Sequence, residues 1–394
     1  MATKGLQKTI VKKSKTLFHP RIWSVWAICL CCMHFSQVNA QGFFKKLFAT
    51  KKDTTKKASL FPFPMIMSSP ETGVEMGGTG LYSFYTDRKD TAERISILTL
   101  GASMTTKKQL NIKAINDIWT KGNKFHITNE IRYRNFPINF FGTGGQTLSR
   151  NKLLLDEKLF RINVAVDKNV FGHFYSGFKV NYDRYRYHIG SITNPNDTIY
   201  NQDHRSLFYV AAQESIDSRD NNTYTSKGVY LKVVYGYAPG WGNKDNYKGS
   251  FLYSYFSSFK SFGKNIVWGM NANYLSILSR PVPFYIMPQL GNDQMMRGFY
   301  QGRYRNDNLL AVQTELRWRF HPRLAVVGFA GLGSVYGDRI DLSTNNLKFS
   351  RGAGVRYFFD TEKKFTLRID YAIAGKAPNE QRQRGFYLAF GEAF

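Results

Sequence analysis

Cysteine is nearly absent from this 394-residue chain: Cys29, Cys31 and Cys32 are the only three, and all lie near its start. Disulfide frameworks, thiolate nucleophiles and cysteine metal sites are therefore excluded from everything that follows Cys32. Acidic residues are also scarce, with 28 Asp+Glu against 55 Lys+Arg and a formal net charge of +27. Repeated apolar runs of about 18 residues, which a bundle of membrane helices needs, are missing. Mean hydropathy is correspondingly low, at −0.37. Histidine is sparse too: His126, His173, His188, His204 and His321 remain after the first forty residues. None has a nucleophile or carboxylate at a telling spacing, so the chain is expected not to be an enzyme, with no catalytic residue, metal or cofactor.

What is abundant points to strands. Tyr (24), Phe (32) and Trp (6) make the chain 16% aromatic, and Gly reaches 33. Aromatic and Gly-rich yet polar on average is the composition of alternating strands with one lipid face and one wet face. The period is indeed two. Phe125, Ile127, Ile131 and Tyr133 alternate with Lys124, His126, Glu130 and Arg132; Leu310, Val312, Leu316, Trp318 and Phe320 alternate with Ala311, Gln313, Glu315, Arg317 and Arg319. Such segments exceed the usual soluble strand of about 5–6 residues and suit a tilted bilayer crossing. Short turns at 121–123, 262–264 and 361–363 interchange with longer polar connections at 137–152, 190–205 and 281–307. Short on one rim and long on the other is the pattern of a transmembrane barrel. Gly73, Gly77, Gly78 and Gly80 fall in such a strand-like stretch with no helix after them, where Gly marks a bend or close packing, not a phosphate loop.

Residues 1–40 read as a secretory signal: a basic leader from Lys4 to Arg21, an apolar stretch from Ile22 to Phe35, and small residues at Val38-Asn39-Ala40. Residues 41–57 form a basic periplasmic segment, with Phe44, Leu47 and Phe48 at helical spacing among six lysines. A short amphipathic helix on the membrane face and a mobile linker are both open readings of it. Residues 58–394 form the barrel. Fifteen strands are countable from Gly73 onward, and Phe61 to Met67 supplies the sixteenth that an even, closed barrel requires. Pro62 and Pro64 cannot donate ladder bonds, so that strand belongs at an edge or seam. Its expected neighbour is the last segment, Tyr387 to Phe394, whose terminal Phe394 looks like the signal read by outer-membrane assembly machinery. The fold class is thus all-β: a sixteen-stranded antiparallel transmembrane β-barrel in the bacterial outer membrane. Its first partner is outer-membrane lipid, and the basic excess meets anionic head groups or acidic partners before any nucleic acid.

One segment is more specific. Arg297-Gly298-Phe299, followed by Gly302-Arg303-Tyr304-Arg305 and then by a strand with inward Glu315, resembles the BamA/TamA superfamily of outer-membrane barrels, the bacterial surface antigen family. Tyr133-Arg134-Asn135-Phe136-Pro137, Gly354-Val355-Arg356-Tyr357, Leu367-Arg368-Ile369-Asp370-Tyr371 and the closing Gly391-Glu392-Ala393-Phe394 extend the resemblance across residues 58–394. It implies that the long loop before strand twelve folds into the lumen and that Arg297 pairs with inward carboxylates. Glu315 matches the family's Glu, but Gly331 stands where the family has Asp, so half of the clamp is expected to be missing, with inward Asp370 in reserve. The longer relatives that fold or translocate proteins carry POTRA modules, for which this chain has no room. The resemblance therefore implies insertion or translocation of protein or lipid through a weak first/last strand seam, with a periplasmic or outer-membrane partner supplied in trans. The alternative is a plugged structural or pore-forming barrel subunit.

Overall fold

A computed structural model describes residues 56–394, apart from 70–72, 91, 190–204, 245 and 378–379. The expected signal and nearly all of the 41–57 segment lie outside the described residues. The chain enters at β1 (Ser59–Ser69), then β2 (Gly73–Phe84), β3 (Ser96–Thr105), β4 (Leu110–Trp119) and β5 (Phe125–Phe140). Next come β6 (Leu153–Phe171), β7 (Phe174–Ile189), β8 (Arg205–Asp217), β9 (Gly228–Pro239), β10 (Lys248–Phe262) and β11 (Ile266–Ile277). Two short strands, β12 (Gln289–Leu290) and β13 (Tyr304–Arg305), pair with each other inside the long connection that follows. The twelfth long strand is β14 (Asn308–His321), followed by β15 (Leu324–Tyr336), β16 (Lys348–Asp360), β17 (Phe365–Ala374) and β18 (Arg384–Phe390).

The sixteen long strands form one antiparallel sheet in which each pairs with its neighbours in chain order, β14 following β11 directly, and β18 returns to β1. Alternation sorts the side chains as the period of two requires. On β14, Leu316 and Trp318 are 53% and 52% exposed while Glu315 and Arg317 are fully buried. The outward set continues round the sheet through Leu100, Ile112, Ile131, Phe178 and Tyr235. An apolar exterior this extensive is anomalous in water and normal in lipid. No helix among the described residues is long and apolar enough to cross a membrane.

Several boundaries differ from the sequence reading. Pro137 does not open a loop; β5 runs through it to Phe140, with Pro137 opposite Asp156 of β6. β4 begins opposite Asn135, so beyond that point no second strand is paired with β5 among the described residues and the missing N–H costs no ladder bond. The last strand stops at Phe390, not Phe394, because Gly391 takes a left-handed φ of +76° and turns the chain inward. Rim lengths also depart from the simple pattern. The connection at 70–72 on the far rim is short, whereas 85–95 and 218–227, on the rim that holds both barrel termini, are long.

The seam is the weakest joint of the sheet. β1 is paired with β2 along its whole length but, among the described residues, with β18 only at Ser68↔Phe386. Pro62 and Pro64 stand opposite Gly80 and Gly78 in that continuous β1–β2 ladder, which leaves their lacking donors on the seam side. Rings bridge the gap instead. Phe63 lies 4.5 Å from Phe390 and 4.9 Å from Phe359, and Phe61 lies 5.2 Å from Phe359. Lys363 ties down the start of β1, donating to the Lys57 carbonyl (2.7 Å) and the Ser59 hydroxyl (2.6 Å).

Extending the Ser68↔Phe386 register places position 64 opposite Phe390, whereas position 62 falls past the end of β18. Pro64→Val should therefore add a seam bond worth about 0.5–1.5 kcal/mol, and Pro62→Val should add none. The temperature at which the folded band is lost in heat-modifiable electrophoresis measures this; equal shifts for both variants would contradict the seam geometry.

Candidate functional site

The inward face of the last strands carries an unusual density of ions. On β14 the spacing of two puts Gln313, Glu315 and Arg317 on one buried face, and on β17 it does the same for Thr366, Arg368 and Asp370. Arg356 of β16 joins them, and all the charged members are 0–1% exposed. Onto this face comes Arg297 from the connection between β11 and β14. Its guanidinium donates to Glu315 Oε2 at 2.6 Å and to Asp370 Oδ2 at 2.5 Å, and lies 3.5 Å from the centroid of the Phe329 ring. The vacancy expected at Gly331 is thus filled from another strand, by Asp370. Gly331 has no room for a carboxylate, since a Cβ there would meet Met296 Sδ and Gln313 Cβ at 3.0 Å.

The clamp is one part of a larger network that sequence reasoning missed. Arg317 Nε donates to Glu315 (2.9 Å), Arg356 donates to Asp370 (2.6 Å) and Glu392 (2.7 Å), and Arg368 reaches Asp370 (3.2 Å) and Asp293 (3.0 Å). Four arginines thereby meet four carboxylates, which is the balance that buried ions require. The signal was present as parity: Arg317 is two residues from Glu315 and Arg368 two from Asp370, hence on the same faces. Their convergence with Arg356 and Glu392 depends on strand stagger.

The rest of the loop is anchored by shape. Gly298 has φ +102°, and a Cβ there would meet Ala374 N at 2.9 Å; its own N–H donates to Tyr387 Oη at 2.9 Å. Phe299 is 1% exposed among Leu290, Met296, Tyr304 and Val335. Gly302 (φ +80°) offers its carbonyl to Arg305 Nε at 3.1 Å. Arg303 pairs with Glu380 of the β17–β18 connection, and its carbonyl accepts from Thr147 Oγ1 at 2.8 Å. Burial pushes the Glu380 carboxyl up, but the hydrogen bond and charge of Arg303 outweigh it and hold the group below the usual glutamate range.

Phe394, expected at the seam, is not there. Its ring lies 5.7 Å from Phe259 of β10 and its carbonyl accepts from Arg317 at 3.1 Å. The left-handed turn at Gly391 carries it across the lumen floor into a cluster with Tyr224 and Phe358. That floor is a second unforeseen feature. Arg94, in the connection 85–95, pairs with Asp217, and Asn222, in 218–227, donates to the Ile95 carbonyl at 2.9 Å. Thr223 donates to the Lys363 carbonyl at 2.6 Å and Arg317 to the Thr225 carbonyl at 3.4 Å. Between floor and loop tip lies a cavity of about 520 Å³, touching Asp293 and Arg368 on one side, Arg219 and Thr223 below, and the seam residues Pro64 and Phe390 laterally. His126, for which the sequence offered no partner, stands 2.9 Å from Asp117 and stacks on Trp119, but no hydroxyl bonds to it among the described residues.

Comparison with known proteins places this geometry. A family model described as the Omp85 superfamily domain matches residues 68–394. BamA from Haemophilus ducreyi lacking POTRA domains 1–3 is similar in structure, with a TM-score of 0.55 at 11% identity, covering 85% of this chain and 70% of that one. CdiB from Acinetobacter baumannii gives 0.53 at 11%, covering 88% and 66%, and CdiB from Escherichia coli 0.55 at 10%, covering 84% and 62%. Among curated proteins none matches the chain.

Two outcomes follow. Arg297→Met leaves Glu315 and Asp370 short of a buried partner and should destabilise the barrel by about 3–5 kcal/mol, read as a shift in urea midpoint; a change within error would remove the clamp from this role. Glu380 has a depressed pKa in the folded state, so its contribution is present above the ordinary glutamate value of about 4.3 and is lost as pH falls. The stability difference between wild type and Glu380→Gln should therefore shrink from pH 6 to pH 3, and a constant difference would contradict the pairing.

Proposed function

The chain belongs to the Omp85 superfamily and is a bacterial outer-membrane protein, and from that premise we propose that its barrel assists the insertion or translocation of protein or lipid through the β1–β18 seam. The observation that carries this reading is the single registered pair between those strands among the described residues, beside a sheet whose other joints each register seven pairs or more. A strand edge left unpaired is a template for another strand. Opening costs little backbone bonding at the seam while the charge network holds β14 to β17 in place, so the sheet parts at one line. The proposal involves no catalysis and no cofactor. Contact with a client is made in trans by a separate periplasmic or outer-membrane protein, or by the basic segment before residue 58.

A second reading is favoured by a different observation. The loop fills the lumen from the far rim and the 85–95 and 218–227 connections cross it at the other, which suits a plugged structural barrel within a larger complex. Reconstitution separates the two. Liposomes carrying the protein, alone or with co-purifying partners, should speed insertion of an unfolded test barrel over empty liposomes, and a Ser68→Cys/Phe386→Cys cross-link across the registered pair should abolish the gain. Equal rates with and without the protein would leave the plugged barrel as the better account.

A further inference from the structure

A second, smaller cavity of about 230 Å³ lies against the inner face of β6 to β11, below Tyr285 and Ile286 of the loop, away from the seam and the arginine clamp. Its chemistry is divided. On β7, Lys179, Asn181 and Asp183 share one face by their spacing of two. Asp183 is fully committed: Arg161 grips both its oxygens at 2.7 Å and Tyr185 Oη donates at 2.8 Å. Lys179 has no carboxylate within ion-pair distance among the described residues, and its ammonium lies 5.9 Å from the Tyr209 ring centroid. Asn181 is 2% exposed, yet its Nδ2 has no hydrogen-bond partner among the described residues. The opposite wall is aromatic, formed by Tyr209, Phe251 and Tyr253.

A buried amide donor left unpaired is destabilising, and an ammonium beside it without a counter-ion adds to that cost. With Asp183 neutralised by Arg161, the lining carries one uncompensated positive charge, from Lys179. We infer that this cavity is a binding site for a small organic monoanion with a flat apolar body, its carboxylate held by Lys179 Nζ and Asn181 Nδ2 and its body against Tyr209, Phe251 and Tyr253. The volume lies below the roughly 300–1,000 Å³ of pockets for drug-sized ligands, which limits the occupant to about the size of a substituted benzoate. The aromatic wall distinguishes the site from a general anion path through the lumen. A hydrated inorganic anion has no use for three rings, whereas a neutral arene leaves the ammonium without a counter-ion.

Equilibrium dialysis of radiolabelled benzoate against the full protein in phosphatidylcholine nanodiscs, with empty nanodiscs as reference, tests this. Saturable binding of one benzoate per chain is expected, with no saturable binding of benzyl alcohol. Lys179→Met should weaken benzoate at least tenfold and Asn181→Leu several-fold, with the folded state of each checked by heat-modifiable mobility. If Lys179→Met fails to fold, the benzoate and benzyl alcohol comparison on the wild type, together with Asn181→Leu, still decides. Benzoate uptake equal to that of empty nanodiscs, saturable binding of the alcohol as well, or unchanged affinity in the folded variants would each overturn the inference.

Discussion

The ion pair between Arg297 and the two carboxylates of Glu315 and Asp370 is the constraint on which the interior depends. A guanidinium with no exposed surface is tolerable only when its charge is met, and here two strands three places apart in chain order supply one oxygen each. The loop is therefore referenced to the sheet's stagger as well as to its own sequence. Arg317, Arg356 and Arg368 extend the same logic, each lying between two carboxylates: Glu315 and Glu392 for Arg317, Asp370 and Glu392 for Arg356, Asp370 and Asp293 for Arg368. Gly298 and Gly331 are the steric complement. One lets the backbone approach Ala374, and the other leaves the space that Met296 fills.

Against that rigid quarter of the barrel, the seam is built from different forces. Among the described residues backbone pairing is confined to the far rim, and towards the terminal rim ring contacts among Phe61, Phe63, Phe359 and Phe390 take its place. Ring contacts are worth about 0.5–1.5 kcal/mol beyond burial and lack the directionality of a ladder. They can slide where hydrogen bonds must break. The proline-bearing β1 keeps a complete ladder with β2, so any opening leaves β1 attached on that side.

The lumen is divided by polar architecture at both rims. The loop enters from one end, and two connections meet across the other, with Arg94, Asp217, Asn222 and Thr223 as the contacts. What remains between them is a chamber whose lateral wall includes the seam, and a separate aromatic pocket under the loop. The chamber and the pocket differ in the way that matters chemically: Arg368 at the chamber wall is already paired with Asp293 and Asp370, whereas Lys179 in the pocket is not paired among the described residues.

Much of the fold was legible because it depends on local periodicity. Alternation along single strands separates lipid-facing Leu316 and Trp318 from inward Glu315 and Arg317 without reference to any other strand, and two prolines mark β1 as a seam strand by chemistry alone. The loop motif carrying Arg297, Gly298 and Phe299 stands out in the same way, as does the inward parity of Asp370. Other features depend on which residues the stagger of sixteen strands brings level, and no local pattern encodes that. The meeting of Arg356 with Glu392, the filling of the Gly331 space by Met296, the path of Phe394 away from the seam to Phe259, and the joining of 85–95 with 218–227 across the barrel are all of this kind. Periodicity is a property of one strand and sets the face of each side chain; height round the barrel is a property of all the pairings together, and only the tertiary structure decided it.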